Sequence, residues 1–174
     1  MLLVLMRHGS AQRGGPFADA DRPLLAVGRS ESEGAGLVLG RLGVRPAALL
    51  TSPARRCRQT AELVGKALHL PETSIHVDDG LAVGAGAERI LAALAQQMAL
   101  VAPAAAASAS WLVVGHQPDL ESVAQKLLGA ASLELFLPPG GCIVLEGRDG
   151  TLRPPVALRW LLPPALLSLG DTPP

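Results

Sequence analysis

Leu2 to Met6 is a short, unbroken apolar run that passes directly into Arg7-His8-Gly9. A run that is apolar at every position suits a strand buried on both faces of a sheet. The residues at its end carry a second constraint, because ligands of open α/β sheets bind outside the carboxyl ends of the strands. Arginine there is a permanent cation whose planar fork suits phosphate oxygens. Histidine can be a nucleophile, and glycine lets the backbone approach a ligand closely. Together the three make a constellation for handling phosphate.

The rest of the chain alternates strand and helix signals. After Leu2–Met6 comes a Gly/Pro/Asp loop over Ser10–Pro23, then a helix over Gly28–Leu42 interrupted by several glycines. A buried strand over Ala47–Thr51 precedes a helix over Arg56–Leu68, and a short strand is expected at Ile75–Val77. Ile90, Leu91, Leu94 and Met98 recur at helical spacing within an amphipathic helix over Glu88–Val101. Ala102–Ser110 reads as an exposed small-residue linker, Trp111–Val114 as a strongly apolar strand, and Pro118–Leu128 as a helix. Strands over Cys142–Glu146 and Val156–Leu162 flank the Arg148-Asp149-Gly150 turn, which makes them an antiparallel pair. The alternation predicts a three-layer α/β/α sandwich with a mostly parallel central sheet. One domain is expected over residues 1–164, with a Pro-rich tail over 165–174 that frays or lies on the surface.

Composition excludes several function classes. Lys+Arg and Asp+Glu number 15 each, so no net field recruits nucleic acid or anionic lipid. Two Phe, two Trp and no Tyr leave no platform for stacking bases. Cys57 and Cys142 are too few for a disulfide framework. No stretch approaches the roughly 20 apolar residues of a membrane span, and the first apolar run has only the length of a strand, not of a leader. These features predict a soluble, cytoplasmic protein.

Two further segments join Arg7-His8-Gly9. They are Ser52-Pro53-Ala54-Arg55-Arg56-Cys57-Arg58-Gln59-Thr60 and Val113-Val114-Gly115-His116-Gln117-Pro118. In order and spacing the three resemble the signatures of the histidine phosphatase superfamily, the phosphoglycerate-mutase-like fold, over Met1 to about Pro164. The resemblance implies that His8 is the nucleophile, Arg7 and Arg56 clamp the phosphate, and His116 is the second histidine of the site. It implies no cofactor. Gly9 and the backbone of Gln117 are weaker candidates for phosphate binding. Arg55 and Arg58 crowd the same helix start and are read as surface residues.

Many members of the superfamily add a carboxylate that protonates the leaving oxygen. The candidate here is Asp79 in Asp78-Asp79-Gly80, a sequence that also suits a plain turn. Ser10 stands where relatives often have an acidic residue. Because imidazole, with a pKa of about 6.5, leaves far more easily than an alkoxide, a site without a clear acid suits cleavage of phosphohistidine. The short chain and the Arg22-Pro23-Leu24 and Leu158-Arg159-Trp160 segments resemble the compact SixA-like branch, which implies a phosphohistidine-bearing signalling protein as substrate. The alternatives are a small-molecule phosphomonoesterase, a mutase, or a phosphate- or phosphoprotein-binding module without catalysis.

The remaining motifs read as structural. His69 closes a helix and His76 alternates with apolar neighbours; neither forms a metal-binding spacing with His8 or His116, so no metal is expected. Cys142 and Arg148 meet the bare Cys-x5-Arg spacing, but within an apolar strand. Asp19-Ala20-Asp21 resembles an aspartyl-phosphatase pair, but it sits inside the loop before Arg22-Pro23.

Overall fold

A computed structural model describes residues 1–101 and 109–167. Most of the Ala102–Ser110 linker, and the tail from residue 168 onward, lie outside the described residues. The middle layer is a six-stranded sheet made of β1 (Leu2–Arg7), β2 (Pro46–Thr51), β3 (Ile75–Val77), β4 (Ser110–Gly115), β5 (Cys142–Glu146) and β6 (Ala157–Leu162). Across the sheet the strands run in the order β3-β2-β4-β1-β5-β6. The β3–β2, β2–β4 and β4–β1 pairings are parallel, while β1–β5 and β5–β6 are antiparallel.

The helices are α1 (Ala26–Arg41), α2 (Arg55–Ala67), α3 (Gly86–Ala99) and α4 (Asp119–Leu128), with a one-turn α5 (Pro164–Leu167) after β6. Side chains alternate across a strand. Leu3, Leu5, Trp111, Val113, Ile143 and Leu145 pack with Ile90, Leu94, Leu120 and Val123 of α3 and α4. Val4, Met6, Leu112, Val114, Cys142 and Val144 pack on the opposite face with Ala35 and Leu39 of α1 and Ala61 and Val64 of α2. That two-sided burial explains why Leu2–Met6 has no polar position. Each such Leu or Val contributes about 1.5–3 kcal/mol when fully buried. The architecture is thus the expected three-layer sandwich, and β6 joins β5 antiparallel as its turn predicts.

Candidate active site

The three central parallel strands end level with one another. Arg7 pairs with Gly115, and Thr51 pairs with Val114. The residues that follow, His8, Ser52 and His116, therefore leave the sheet side by side. The His8 amide donates to the Gly115 carbonyl at 3.1 Å, and the Ser52 amide donates to the Val114 carbonyl at 3.1 Å. These backbone bonds fix where the two imidazoles start, and their ring centroids lie 5.3 Å apart in an edge-on arrangement.

Arg56, in the first turn of α2, reaches between the two rings and is 2% exposed. Its Nε donates to His8 Nε2 at 3.2 Å, and its Nη2 lies 3.4 Å from His116 Nδ1. His8 Nδ1 sits 2.8 Å from the Gly9 carbonyl. Because Nε2 accepts from Arg56, the proton of a neutral ring belongs on Nδ1, donated to Gly9. His116 Nε2 meets Ser52 Oγ at 2.8 Å, which by the same reasoning turns the Nδ1 lone pair toward Arg56.

Burial, followed by the charges of Arg56 and Arg7, outweighs the Gly9 hydrogen bond and holds the His8 pKa down at about 4. Burial again, followed by His8 and Arg56, lowers His116 to about 3. Both imidazoles are therefore neutral at physiological pH. Arg7, also depressed by burial, is fixed through Nη1, which donates to Gln117 Oε1 at 2.6 Å and to the Leu137 carbonyl at 3.0 Å. Leu137 is itself anchored, its amide donating to the buried Glu121 carboxylate at 2.8 Å. Arg7 Nε is buried without an acceptor among the described residues. A donor in that position costs about 1–3 kcal/mol until something accepts from it.

Gly9 and Gln117 both make contacts that build the site. The Gly9 amide is committed to Thr60 Oγ1 at 3.1 Å. A Cβ on Gly9 would run into the Gly28 carbonyl and stand 2.9 Å from Ser32 Oγ, so glycine is needed for close packing on α1. Gln117 acts through its side chain, by holding Arg7. Arg55 and Arg58 are exposed, as expected of surface residues. The structure does not bring Asp79 to the four central residues. It is exposed, opens a 3-10 turn capped by Asp78, and makes no hydrogen bond or ion pair with any of them.

The carboxylate that does reach the cluster is Asp19, which the Asp-x-Asp spacing had marked only for a different chemistry. Its carbonyl accepts from Arg56 Nη1 at 2.6 Å, and its Oδ2 accepts from Nη2 at 3.1 Å. Its Oδ1 accepts from Arg22 Nε at 2.9 Å and Nη2 at 2.6 Å. The Arg22 hydrogen bonds, and next the nearby Arg56, hold its carboxyl below the usual carboxylate range. Ser52 and Thr60 were within reach of sequence reasoning as members of the second signature. Arg22 lay in a segment noted only for its SixA-like resemblance, and Glu121 had no mark at all.

A cleft of about 570 Å³ opens over Arg7 and His8 and is lined also by Ser10, Ala11, Arg13, Arg22, Leu25 and Pro139. No carboxylate lines it. Among the described residues, no group of three or more His, Cys, Asp or Glu is placed to hold a metal ion. No helix among them is long and apolar enough to cross a membrane. Chemically the cluster offers two neutral imidazoles joined by the Arg56 guanidinium, with the Arg7 guanidinium near enough to act on both rings, a set that suits a tetrahedral oxyanion.

Comparison with known proteins agrees with that chemistry. The model of the histidine phosphatase superfamily (branch 1) matches residues 3–83, a span that holds Arg7, His8 and Arg56 but stops short of His116. An uncharacterized protein of Picosynechococcus is 33% identical over 173 residues, covering 94% of this chain and 100% of that protein. The protein histidine phosphatase SixA, solved with tungstate, superposes with a TM-score of 0.80 at 26% identity, over 96% of this chain and 99% of SixA. An alpha-ribazole phosphatase from Shigella flexneri shares the fold, with a TM-score of 0.70 at 20% identity over 94% and 97% of the two chains. Three signatures in order, the sheet that aligns them, and these relatives together make the chain a member of the histidine phosphatase superfamily.

Proposed function

We propose that the protein is a phosphatase that transfers a phosphoryl group to His8 and then to water, and that its substrate is phosphohistidine in another protein. The state of His8 carries this reading. A neutral ring with its proton fixed on Nδ1 by the Gly9 carbonyl keeps its lone pair on Nε2, which attacks phosphorus once Arg56 Nε turns from it to a phosphate oxygen. The Nε2–P bond forms as the P–N bond of the substrate breaks, and the substrate ring, already protonated on its other nitrogen, leaves with that electron pair as neutral imidazole. Arg7 and Arg56 hold the non-bridging oxygens as charge spreads over them. A phosphate oxygen is also the natural acceptor for the unpaired Arg7 Nε.

In the second step water attacks phosphorus and His8 leaves. Because Nδ1 kept its proton, His8 departs as neutral imidazole and needs no acid. The water's protons pass to phosphate and solvent. His116 is neutral while the site is empty. An arriving dianion favours its protonated form, and it then serves as a further donor to the phosphate.

The choice of phosphohistidine rests on the carboxylate at hand. Asp19 is held ionised by two arginines and has no proton to give near neutral pH. An alkoxide leaving group needs that proton, and imidazole does not. Similarity to the tungstate-bound protein histidine phosphatase SixA supports the same reading. The test is phosphate release from a phosphohistidine protein, a phosphoserine protein and several sugar phosphates, each with His8→Ala alongside. Release from phosphohistidine that is fastest and depends on His8 is expected. Faster release from a sugar phosphate would overturn the substrate, and turnover by His8→Ala would overturn the nucleophile.

A further inference from the structure

The cleft over His8 is larger than a phosphoryl group requires, and the excess is not neutral. Three of its lining residues are arginines and none is acidic. Two of the arginines are spoken for. Arg7 is fixed by Gln117 and Leu137, and Arg22 gives its donors to Asp19 and, at 2.8 Å, to the Gln12 carbonyl. Arg13 differs: it is exposed, and no hydrogen bond or ion pair is assigned to it among the described residues. The chain turns after it through Gly14 and Gly15, whose φ values of +69° and +89° favour glycine, and Arg13 lines the cleft just before that turn. It stands close enough to Arg7 for their like charges to oppose each other. Beside it, Leu25 and Val27 are 45% and 54% exposed and form an apolar shelf along the same cleft.

An arginine that repels its neighbour and has no counter-ion gains most from an anion brought by the ligand. We infer that Arg13 is a specificity residue that receives a carboxylate of a polypeptide substrate, so that the enzyme prefers phosphohistidine flanked by acidic side chains. The inference rests on the phosphohistidine reading above and adds to it the character of the surrounding sequence. Leu25 and Val27 would take the aliphatic parts of the same segment.

Two phosphohistidine peptides that differ only in Glu against Gln beside the phosphorylated residue test this, with phosphoramidate as a small reference substrate. The wild-type chain is expected to favour the Glu peptide by about tenfold in kcat/KM, mostly through KM, and less as salt is added. Arg13→Gln should bring the ratio of the two peptides close to one, Arg13→Lys should restore much of it, and Arg13→Glu should invert it. Equal use of the two peptides by the wild-type chain, or a ratio unchanged in Arg13→Gln, would overturn the role of Arg13 and leave the phosphohistidine reading standing. Failure on both peptides and phosphoramidate, with His8-dependent turnover of a sugar phosphate, would instead overturn both.

Discussion

Two loops leave the same end of the sheet and meet different fates. The first, residues 8–25 between β1 and α1, is drawn over the imidazoles by bonds to three neighbours. Gly9 donates to Thr60, the Leu24 amide donates to Gln59 Oε1 at 2.9 Å, and the Ser10 amide donates to Glu31 Oε2 at 2.7 Å. The second, residues 78–85 between β3 and α3, caps its own turn through Asp78 and is tied to α4, the Gly84 amide donating to Asp119 Oδ2 at 2.9 Å. Both loops carry an Asp-rich tripeptide. Only the first brings a carboxylate to Arg56. What places a loop residue at a site is therefore the set of partners that hold the loop, and those partners are distant in sequence.

Arg56 joins the first loop to the two histidines, so its loss should be the largest break. Arg56→Ala is expected to lower kcat/KM on phosphohistidine by about 10²–10³-fold, the scale for removing one donor from a preorganised anion site. Arg55→Ala, on the exposed side of the same helix turn, should change it less than about twofold, since surface substitutions shift energies by only about 0.5 kcal/mol. Equal losses in steady-state assays of the two variants would show that the clamp lies elsewhere.

The burial that the first loop gives His8 has a pH signature. With the His8 pKa lowered to about 4, kcat/KM should stay level through neutral pH and fall about tenfold per unit below about pH 4, as the nucleophile is protonated. Stability follows from the same groups. An unfolded histidine takes up its proton near pH 6.5, whereas folded His8 and His116 wait until about 4 and about 3. Their contribution is complete above pH 6.5 and is lost as pH falls through the interval below it. Urea melts at pH 7.5 and pH 5 should show the lower midpoint at pH 5. An activity limb near pH 6.5 would mean that His8 is solvated and the loop open.

Gly9 tests the packing that holds this loop down. Gly9→Ala puts a methyl against the Gly28 carbonyl, and overpacking of this kind costs about 1–3 kcal/mol. At about 2–4 °C per kcal/mol for a chain of this size, the expected fall in Tm is several degrees. An unchanged Tm would show that α1 gives way freely at Gly28.

The legible part of the molecule is the part set by local pattern. Leu2–Met6 and Trp111–Val114 announced buried strands because both faces of the sheet are covered. Arg7, His8, Arg56 and His116 stand within a few residues of strand ends, and parallel pairing gathers those ends at one place. Asp19 escaped because its pairing with nearby Arg22 says nothing of Arg56, 37 residues away, which it meets only through the folded loop. Glu121 escaped for the same reason, since it acts on Arg7 through the Leu137 backbone. Asp79 drew attention through a turn sequence, and in the structure it opens a turn that Asp78 caps.

The two aspartates close the comparison with the smallest effects. Asp19 is largely exposed, so its pairing with Arg56 is screened and contributes no more than about 1 kcal/mol. Asp19→Asn should lower kcat/KM on phosphohistidine about fivefold or less, because Arg56 loses an anchor but keeps its contacts with His8. Asp79→Asn should stay within about twofold on every substrate, since the residue is exposed and makes no hydrogen bond or ion pair with the four central side chains. A general acid behaves differently: its removal costs about 10²–10⁴-fold, and the cost falls on poor leaving groups first. Running both variants on phosphohistidine and on a sugar phosphate therefore asks which loop, if either, supplies a proton. A hundredfold loss confined to the sugar phosphate in Asp79→Asn would make the second loop part of the reaction and undo the contrast between them. The same loss in Asp19→Asn would mean that Asp19 carries a proton during turnover despite its two arginines, and the argument for phosphohistidine from the leaving group would fall with it.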